Sequence, residues 1–334
     1  RTYIIAEVGV NHNGKISLAK KLIDVAKKSG ANAVKFQTFF ADKLAIKKSP
    51  KVNYQKKNLS KKGYQHDMLK KLQLSYNDHL KLILYCKKIK IDFLSTPYDV
   101  DSAKFLSKLK LKFFKTSSAD LTDYKLHEYL AKNRKTVIIS TGASNISLIN
   151  QTLKIYKKYK NKKIILLHCV SNYPCSNKAI NLRAIELLRK KFNYIIGYSD
   201  HSNNVLSAIL SISLGAKVIE KHITLNKNLI GPDHAASSNP KEFVDYVKKI
   251  RETEVILGSE IKEIQKEEIS MIKFSRKSLY YAENFKKGHV VRTDDLACLR
   301  PGTGISPMKI KIFLGKKINK NVKKNEKLSL THIC

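Results

Sequence analysis

The amino-acid sequence predicts a (β/α)8 TIM barrel over residues 1–257, a linker helix over 258–277 and a small β-rich domain over 278–334. Three observations carry this. Eight short, apolar, β-branched runs alternate with helix-periodic segments over roughly 250 residues, the arithmetic of a barrel. The first run ends in Glu7-Val8-Gly9-Val10-Asn11-His12-Asn13-Gly14, without the GxGxxG turn that a doubly wound nucleotide-binding sheet would show there. After residue 257 the alternation stops.

The elements follow in order. The strand-like runs are 4–10, 33–39, 92–97, 113–118, 137–142, 164–171, 195–200 and 216–224. They are continuously apolar, as parallel strands buried on both faces are. The periodic segments between them include 17–29, 77–88, 102–108, 145–159, 182–191 and 204–213, with Gly30 and Gly215 placed to end two of them. Residues 41–74 are Lys-rich and polar, and are expected to form an extended loop over the barrel mouth. Residues 260–272 read as the charged linker helix. Ser278-Leu279-Tyr280-Tyr281-Ala282 then opens short strands separated by tight turns at Lys286-Lys287-Gly288 and Arg300-Pro301-Gly302-Thr303-Gly304. So small a domain is marginal alone and favours docking on a partner surface.

Composition excludes several classes. With 43% hydrophobic and 28% charged residues the chain is an ordinary globular protein, neither disordered nor fibrous. No run of ~18 apolar residues occurs, so no membrane-spanning helix and no membrane partner are expected. The opening Arg1 predicts a trimmed N-terminus, and the run at 3–8 reads as a strand and not as a signal peptide. The net charge of +38 comes from 57 Lys against 8 Arg. The lysines are spread over nearly every presumed helix face, without an Arg-rich stripe, an RNA-binding aromatic signature or zinc-finger spacing. That predicts a solvated compositional bias and no nucleic-acid partner. The five Cys are odd in number and contain no CxxC, which argues against a disulfide framework or structural zinc and for a reducing cytoplasm.

In a barrel the chemistry sits at the carboxyl ends of the strands, and here these ends are polar throughout. They carry Glu7; Lys35 and Gln37; Ser95 and Thr96; Lys115, Ser117 and Ser118; Ser140 and Thr141; His168, Ser171 and Tyr173; Ser199, Asp200 and His201; Glu220 and His222. Lys35 and Lys115 lie inside apolar strands, where an ammonium needs a partner. They fit either a buried Lys–Glu pair or a site for a small dianion such as a phospho-carboxylate. Schiff-base chemistry by one of them is a further reading. His201 and His222 end neighbouring strands, and two neutral imidazoles so placed can share a divalent ion. The alternative is a pair of structural histidines. His66, His79, His127, His289 and His332 read as surface residues.

Further motifs add to this set: Val34-Lys35-Phe36-Gln37-Thr38, Ser95-Thr96-Pro97-Tyr98-Asp99, Tyr173-Pro174, Gly197-Tyr198-Ser199-Asp200-His201, Glu220-Lys221-His222, Gly231-Pro232-Asp233-His234-Ala235-Ala236-Ser237 and Arg300-Pro301-Gly302-Thr303-Gly304-Ile305. With these, in order along essentially the whole chain, the sequence resembles the sialic acid synthase family, which includes the N-acetylneuraminate, legionaminate and pseudaminate synthases. The resemblance implies a TIM barrel with a C-terminal SAF (antifreeze-like) domain, in a homodimer whose SAF domains cover each other's barrels. The implied reaction joins phosphoenolpyruvate to an N-acetylated amino-sugar aldehyde, with release of phosphate, and needs Mn2+ or Mg2+.

The same resemblance implies roles for individual residues. His201 and His222 hold the metal. Lys35, Lys115, Thr96, Ser118, Ser140 and Ser199 bind phosphoenolpyruvate, and Ser171 stands where some members have a phosphate-binding Asn. Glu7 sits by the metal, and with Lys115 and the two histidines it forms the catalytic group. Gln37, Tyr173 and Asp233 face the sugar. Arg300 and Phe274 reach it from the partner chain. The family's Gly-Ser-Gly-Glu is here Ser117-Ser118-Ala119-Asp120, so the sugar-facing carboxylate at Asp120 is one methylene, ~1.5 Å, shorter. A 3-deoxy-2-keto sugar-phosphate synthase is the nearest rival enzyme, and a catalytically inactive polyanion-binding barrel is the rival from another class.

Overall fold

The computed structural model describes residues 1–334 apart from 60–62, and for Tyr54 and Lys57 the backbone alone. The chain divides into two compact units, Arg1–Gly258 and Ser259–Cys334.

In the first unit eight parallel strands, β1 (Tyr3–Gly9), β2 (Ala33–Thr38), β3 (Asp92–Pro97), β4 (Phe113–Thr116), β5 (Thr136–Ser140), β6 (Ile164–Cys169), β7 (Ile195–Asp200) and β8 (Val218–His222), run in the order β3-β2-β1-β8-β7-β6-β5-β4. The ring closes where the short β4 returns beside β3. The helices are α1 (Ile16–Lys28), α2 (Ala41–Leu44), α3 (Asn53–Asn58), α4 (Gln65–Leu72), α5 (Tyr76–Ile89), α6 (Val100–Lys108), α7 (Tyr124–Lys132), α8 (Ile146–Lys158), α9 (Arg183–Lys191), α10 (Leu206–Ser213) and α11 (Pro240–Leu257). Local chemistry starts several of them. Ser75 and Asp78 cap α5 reciprocally, Asp99 and Asp123 cap α6 and α7, and α11 begins on the box Asn239-Pro240-Lys241-Glu242.

Strand alternation builds two cores. Outward residues such as Ile4, Val34 and Phe93 pack under the helices. Inward residues Ile5, Leu94, Ile138, Leu167 and Val218 form a separate apolar plug inside the ring. Two residues further along the same strands the inward position turns polar: Ile5 gives way to Glu7, Ala33 to Lys35, Phe113 to Lys115, Ile138 to Ser140 and Val218 to Glu220. The plug is thus the floor on which a polar layer rests.

Three expectations are corrected. The segment 41–74 is no extended loop: it carries α2, α3 and α4, whose apolar residues Ala41, Met68, Leu69 and Leu72 pack with Val10 and Phe39. Between 258 and 277 the α-helix is confined to α12 (Ile269–Ser275), because Gly258 at φ 59° ends α11 and the residues after it carry no helical bonds until 266. His66, His79, His127 and His332 are buried and not on the surface. Each of the first three finds partners that make burial tolerable: Asp42 for His66, Thr38 and Ser75 for His79, Tyr156 and Asp120 for His127. His289 is half-buried against Asp295.

In the second unit β9 (Ser278–Tyr281) pairs antiparallel with β10 (Leu296–Leu299) over a small core that includes Leu279, Tyr281, Val291, Phe313 and Val322. No helix among the described residues is long and apolar enough to cross a membrane.

Candidate active site

The polar layer opens at the carboxyl ends of the strands into a cavity of about 520 Å³. Its floor is a buried four-charge cluster. The Lys35 ammonium lies 3.1 Å from Glu7 and 3.6 Å from Glu220, and donates to the Thr96 hydroxyl at 3.1 Å. Lys115 lies 3.8 Å from the same Glu220 oxygen and donates to Ser140 (2.6 Å) and to its neighbour's carbonyl at Thr116 (2.9 Å). Ser199 donates to the other Glu220 oxygen at 3.0 Å. Register makes this possible, since parallel pairing sets Glu7 beside Lys35 and Ser199 beside Glu220.

Burial governs the protonation of these groups. It raises Glu7 to about 7 against the opposing pull of Lys35, and lowers Lys115 to about 8 against the support of Glu220. Burial also works to raise Glu220, but Lys115 and Lys35 outweigh it and hold the carboxyl low. For Lys35 burial is outweighed by Glu220 and Glu7, and its pKa is raised.

On one wall stand the two histidines, with ring centres 5.6 Å apart. The Tyr173 ring lies 4.0 Å from that of His201 and 5.6 Å from that of His222. His201 Nδ1 donates to the Val170 carbonyl at 2.7 Å, so in the neutral imidazole the lone pair sits on Nε2; burial acts to lower the pKa of this group, but Cys169 outweighs it and the pKa is raised. His222 Nδ1 is buried with no hydrogen-bond partner among the described residues, and burial pushes this imidazole well below its ordinary pKa, favouring the neutral, ligating form. The Cys169 thiol lies 3.7 Å from His201 Nδ1. The donor set fits a divalent ion held by two imidazoles with open positions. No cluster of three or more metal-ligating side chains occurs among the described residues.

The remaining expected residues separate into three groups. Gln37, Ser118, Asp120, Ser140, Ser171, Ser199 and Asp233 line the cavity. Gln37 donates to Glu7 at 3.4 Å. Ser118 accepts from the Gly142 amide at 3.0 Å, and a side chain at Gly142 would come within 2.4 Å of the Ser171 oxygen and 2.7 Å of that of Ser118, so it would have to displace both hydroxyls. Ser117 donates to Asp120 at 2.6 Å, and burial lifts the Asp120 carboxyl to about 6 against that bond. Thr96 is fully buried and accepts a hydrogen bond from the Lys35 ammonium at 3.1 Å. Phe274 and Arg300 belong to the second unit. Phe274 is exposed, and the exposed Arg300 donates from Nε to the Ser275 carbonyl at 2.9 Å.

Glu220 and Cys169 are among the lining residues to which the sequence assigned no role. Glu220 is the counter-charge of both lysines; its place two residues after Val218 gives it the inward parity of its strand, but the sequence does not say which cations it meets. Cys169 lines the cavity beside His201 and carries no comparable signal. From 41–74, residues including Leu44, Gln55, Gln65 and Met68 complete the wall.

Residues 22–262 match the NeuB family and residues 276–333 match the SAF domain. The N,N'-diacetyllegionaminic acid synthase of Campylobacter jejuni is 42% identical over 328 residues, covering 98% of each chain. That of Legionella pneumophila is 40% identical over 335 residues, 99% of this chain and 94% of its own. The structure is similar to that of N-acetylneuraminic acid synthetase from Leptospira borgpetersenii, solved with citrate, at a TM-score of 0.72 and 34% identity over 81% of this chain and 90% of the other.

Proposed function

The chain belongs to the NeuB family and carries a SAF domain, and from that membership we infer that it condenses phosphoenolpyruvate with an N-acylated amino-sugar aldehyde and water. The products are a nine-carbon 2-keto sugar acid and inorganic phosphate. A 2,4-diacetamido sugar of the legionaminate type is preferred to N-acetylmannosamine, because the relatives at 42% and 40% identity bear that name.

The observation that carries the reading is the charged floor. Burying two ammonium groups and two carboxylates costs several kcal/mol per ion before pairing, and an inactive scaffold has no use for it. A sugar-phosphate synthase would need cations for a second phosphate. Among the described lining residues the lysines are Lys35 and Lys115, and no arginine lines the cavity.

In the proposed mechanism Lys35 and Lys115 bind the phosphate and carboxylate of phosphoenolpyruvate, with hydroxyls from Ser118, Ser140, Ser171 and Ser199. Thr96 positions Lys35. His201 and His222 would hold a divalent ion, Mn2+ or Mg2+, which supplies Lewis-acid polarisation of a carbonyl oxygen. C3 of phosphoenolpyruvate bonds to the aldehyde carbon, the aldehyde oxygen takes up a proton, and C2 becomes electron-poor. Water adds at C2 and gives up a proton. The bond from C2 to the phosphate oxygen then breaks, the electron pair leaving with phosphate, which takes up the proton that the C2 hydroxyl loses as C2 becomes a ketone. Glu7, with its pKa raised towards neutrality, is suited to handle one of these protons. Gln37, Tyr173, Asp233 and Asp120 face the sugar. Arg300 and Phe274 reach its N-acyl group from a second copy in a domain-swapped homodimer. The five free cysteines fit a reducing cytoplasm.

Phosphate release tests the reading, using phosphoenolpyruvate with N-acetylmannosamine, its 6-phosphate, the 2,4-diacetamido sugar and a phosphorylated aldose. The diacetamido sugar should be turned over fastest. Turnover of the phosphorylated aldose alone would refute the assignment.

A further inference from the structure

Behind the polar layer, on the opposite face of the same two strands, lies a second buried ion pair that the mechanism does not use. The pairing of β7 with β8 sets Asp200 beside Lys221. Both side chains point outward, between the barrel wall and α10 and α11. Asp200 is 1% exposed, Lys221 3%, and their charged atoms lie 3.2 Å apart. The carboxylate also accepts from Tyr246 of α11 (2.9 Å), Tyr198 (3.2 Å), Ser207 of α10 (3.2 Å) and the Ser202 amide (2.8 Å). Lys221 in turn donates to the Ser202 carbonyl.

Stability alone does not explain such a pair, because apolar residues of similar volume generally serve as well. Its position does. Asp200 precedes His201 and Lys221 precedes His222. Ser202, which follows His201, is gripped from both sides, its amide by Asp200 and its carbonyl by Lys221. The backbone on either side of His201 is thereby stapled to Lys221, the residue that precedes His222. In front of the sheet the Ser199–Glu220 hydrogen bond fixes the neighbouring register pair.

We propose that Asp200 and Lys221 are a positioning pair that fixes the spacing of His201 and His222 and so sets the affinity of the chain for a divalent ion, an inference that rests on the metal-binding reading of those histidines. Partners that orient metal-ligating side chains are typically worth 10–100-fold in metal affinity.

The test is equilibrium binding of Mn2+ to metal-stripped protein, read from the electron paramagnetic resonance of free Mn2+, beside calorimetric binding of phosphoenolpyruvate without metal. Lys221→Met should weaken Mn2+ about 10–100-fold and leave phosphoenolpyruvate affinity within about threefold, and Lys221→Arg should recover most of the loss. If His222→Ala binds Mn2+ as the wild type does, the metal reading fails and the proposal with it. If His222→Ala loses Mn2+ while Lys221→Met keeps wild-type affinity, the positioning proposal alone is overturned. Should Lys221→Met not fold, Tyr246→Phe removes one donor to Asp200. A several-fold loss of Mn2+ affinity with phosphoenolpyruvate binding intact supports the proposal, and unchanged or equally reduced affinities overturn it.

Discussion

Lys115→Met separates a binding role from a structural one. The Lys115 ammonium is 1% exposed and touches Ser140, the Thr116 carbonyl and Glu220. Its removal acts on two quantities. Phosphoenolpyruvate loses one charge-assisted contact in a partly dry site, worth ~1.5–3 kcal/mol, or roughly 10- to 150-fold in KM. Glu220 loses one of two counter-ions but keeps Lys35 at 3.6 Å and Ser199 at 3.0 Å. The stability loss should therefore fall below the ~3–5 kcal/mol of a fully orphaned buried charge. Steady-state kinetics in phosphoenolpyruvate and thermal unfolding of the same preparations read the two effects apart. Adding Glu220→Gln to Lys115→Met should recover stability, since the uncompensated charge is gone, and should not recover KM. A phosphoenolpyruvate KM within about twofold of wild type, with a lowered melting temperature restored in the double variant, would falsify the binding role and leave Lys115 as a partner of Glu220.

Three further outcomes are expected. Activity should vanish on dialysis against EDTA and return with Mn2+ or Mg2+; full turnover in excess chelator by protein with no detectable metal would refute the role of His201 and His222. Asp120 carries a raised pKa in the folded chain, so the stability it contributes is complete below its unfolded value of ~3.9 and is lost as pH rises through about 6. Asp120→Asn should therefore become more stable than wild type by ~1–2 kcal/mol between those limits, after discounting for its partial exposure, and a constant melting-temperature difference from pH 4 to 7 would contradict this. Mixing inactive Arg300→Ala with inactive His201→Ala chains should restore activity at one site per heterodimer; verified heterodimers without recovery would show that Arg300 does not act across subunits.

What the sequence made legible follows from the period of each element. Strands β3 and β7 were readable to the residue, because a buried parallel strand is a short apolar run bounded by turn residues. The helix α11 was not read from the sequence, although Asn239, Pro240 and Glu242 stand in capping positions ahead of an apolar face of Phe243, Tyr246, Val247 and Ile250. The helices within 41–74 were hidden because their apolar faces are narrow and gain meaning only against Val10 and Phe39, remote in sequence. The buried histidines were misread for a related reason. An isolated His looks polar, and what lets it enter a core is a hydroxyl or carbonyl from elsewhere, such as Thr38 for His79 or Tyr156 for His127.

For the charged site the deciding rule is alternation. A Lys or Glu within an apolar strand faces either the barrel interior or the helix layer, and its neighbours' parity says which. Lys35, Lys115 and Glu220 share the inward parity, and Lys221 the outward one. Asp200, read from the sequence as one of the polar strand ends, also has the outward parity and pairs with Lys221 behind the wall. What the sequence withholds is pairing across strands. Glu220 could be assigned to both lysines, and Lys221 to Asp200, only once the register of β1, β2, β7 and β8 was known. That register is enforced by the outward apolar residues under the helices, since a slip of one position would bury the charges there and open the apolar plug to the cavity. The same packing that makes the barrel stable thus holds the reactive cations in line, and the chemistry of the floor depends on residues that never touch it.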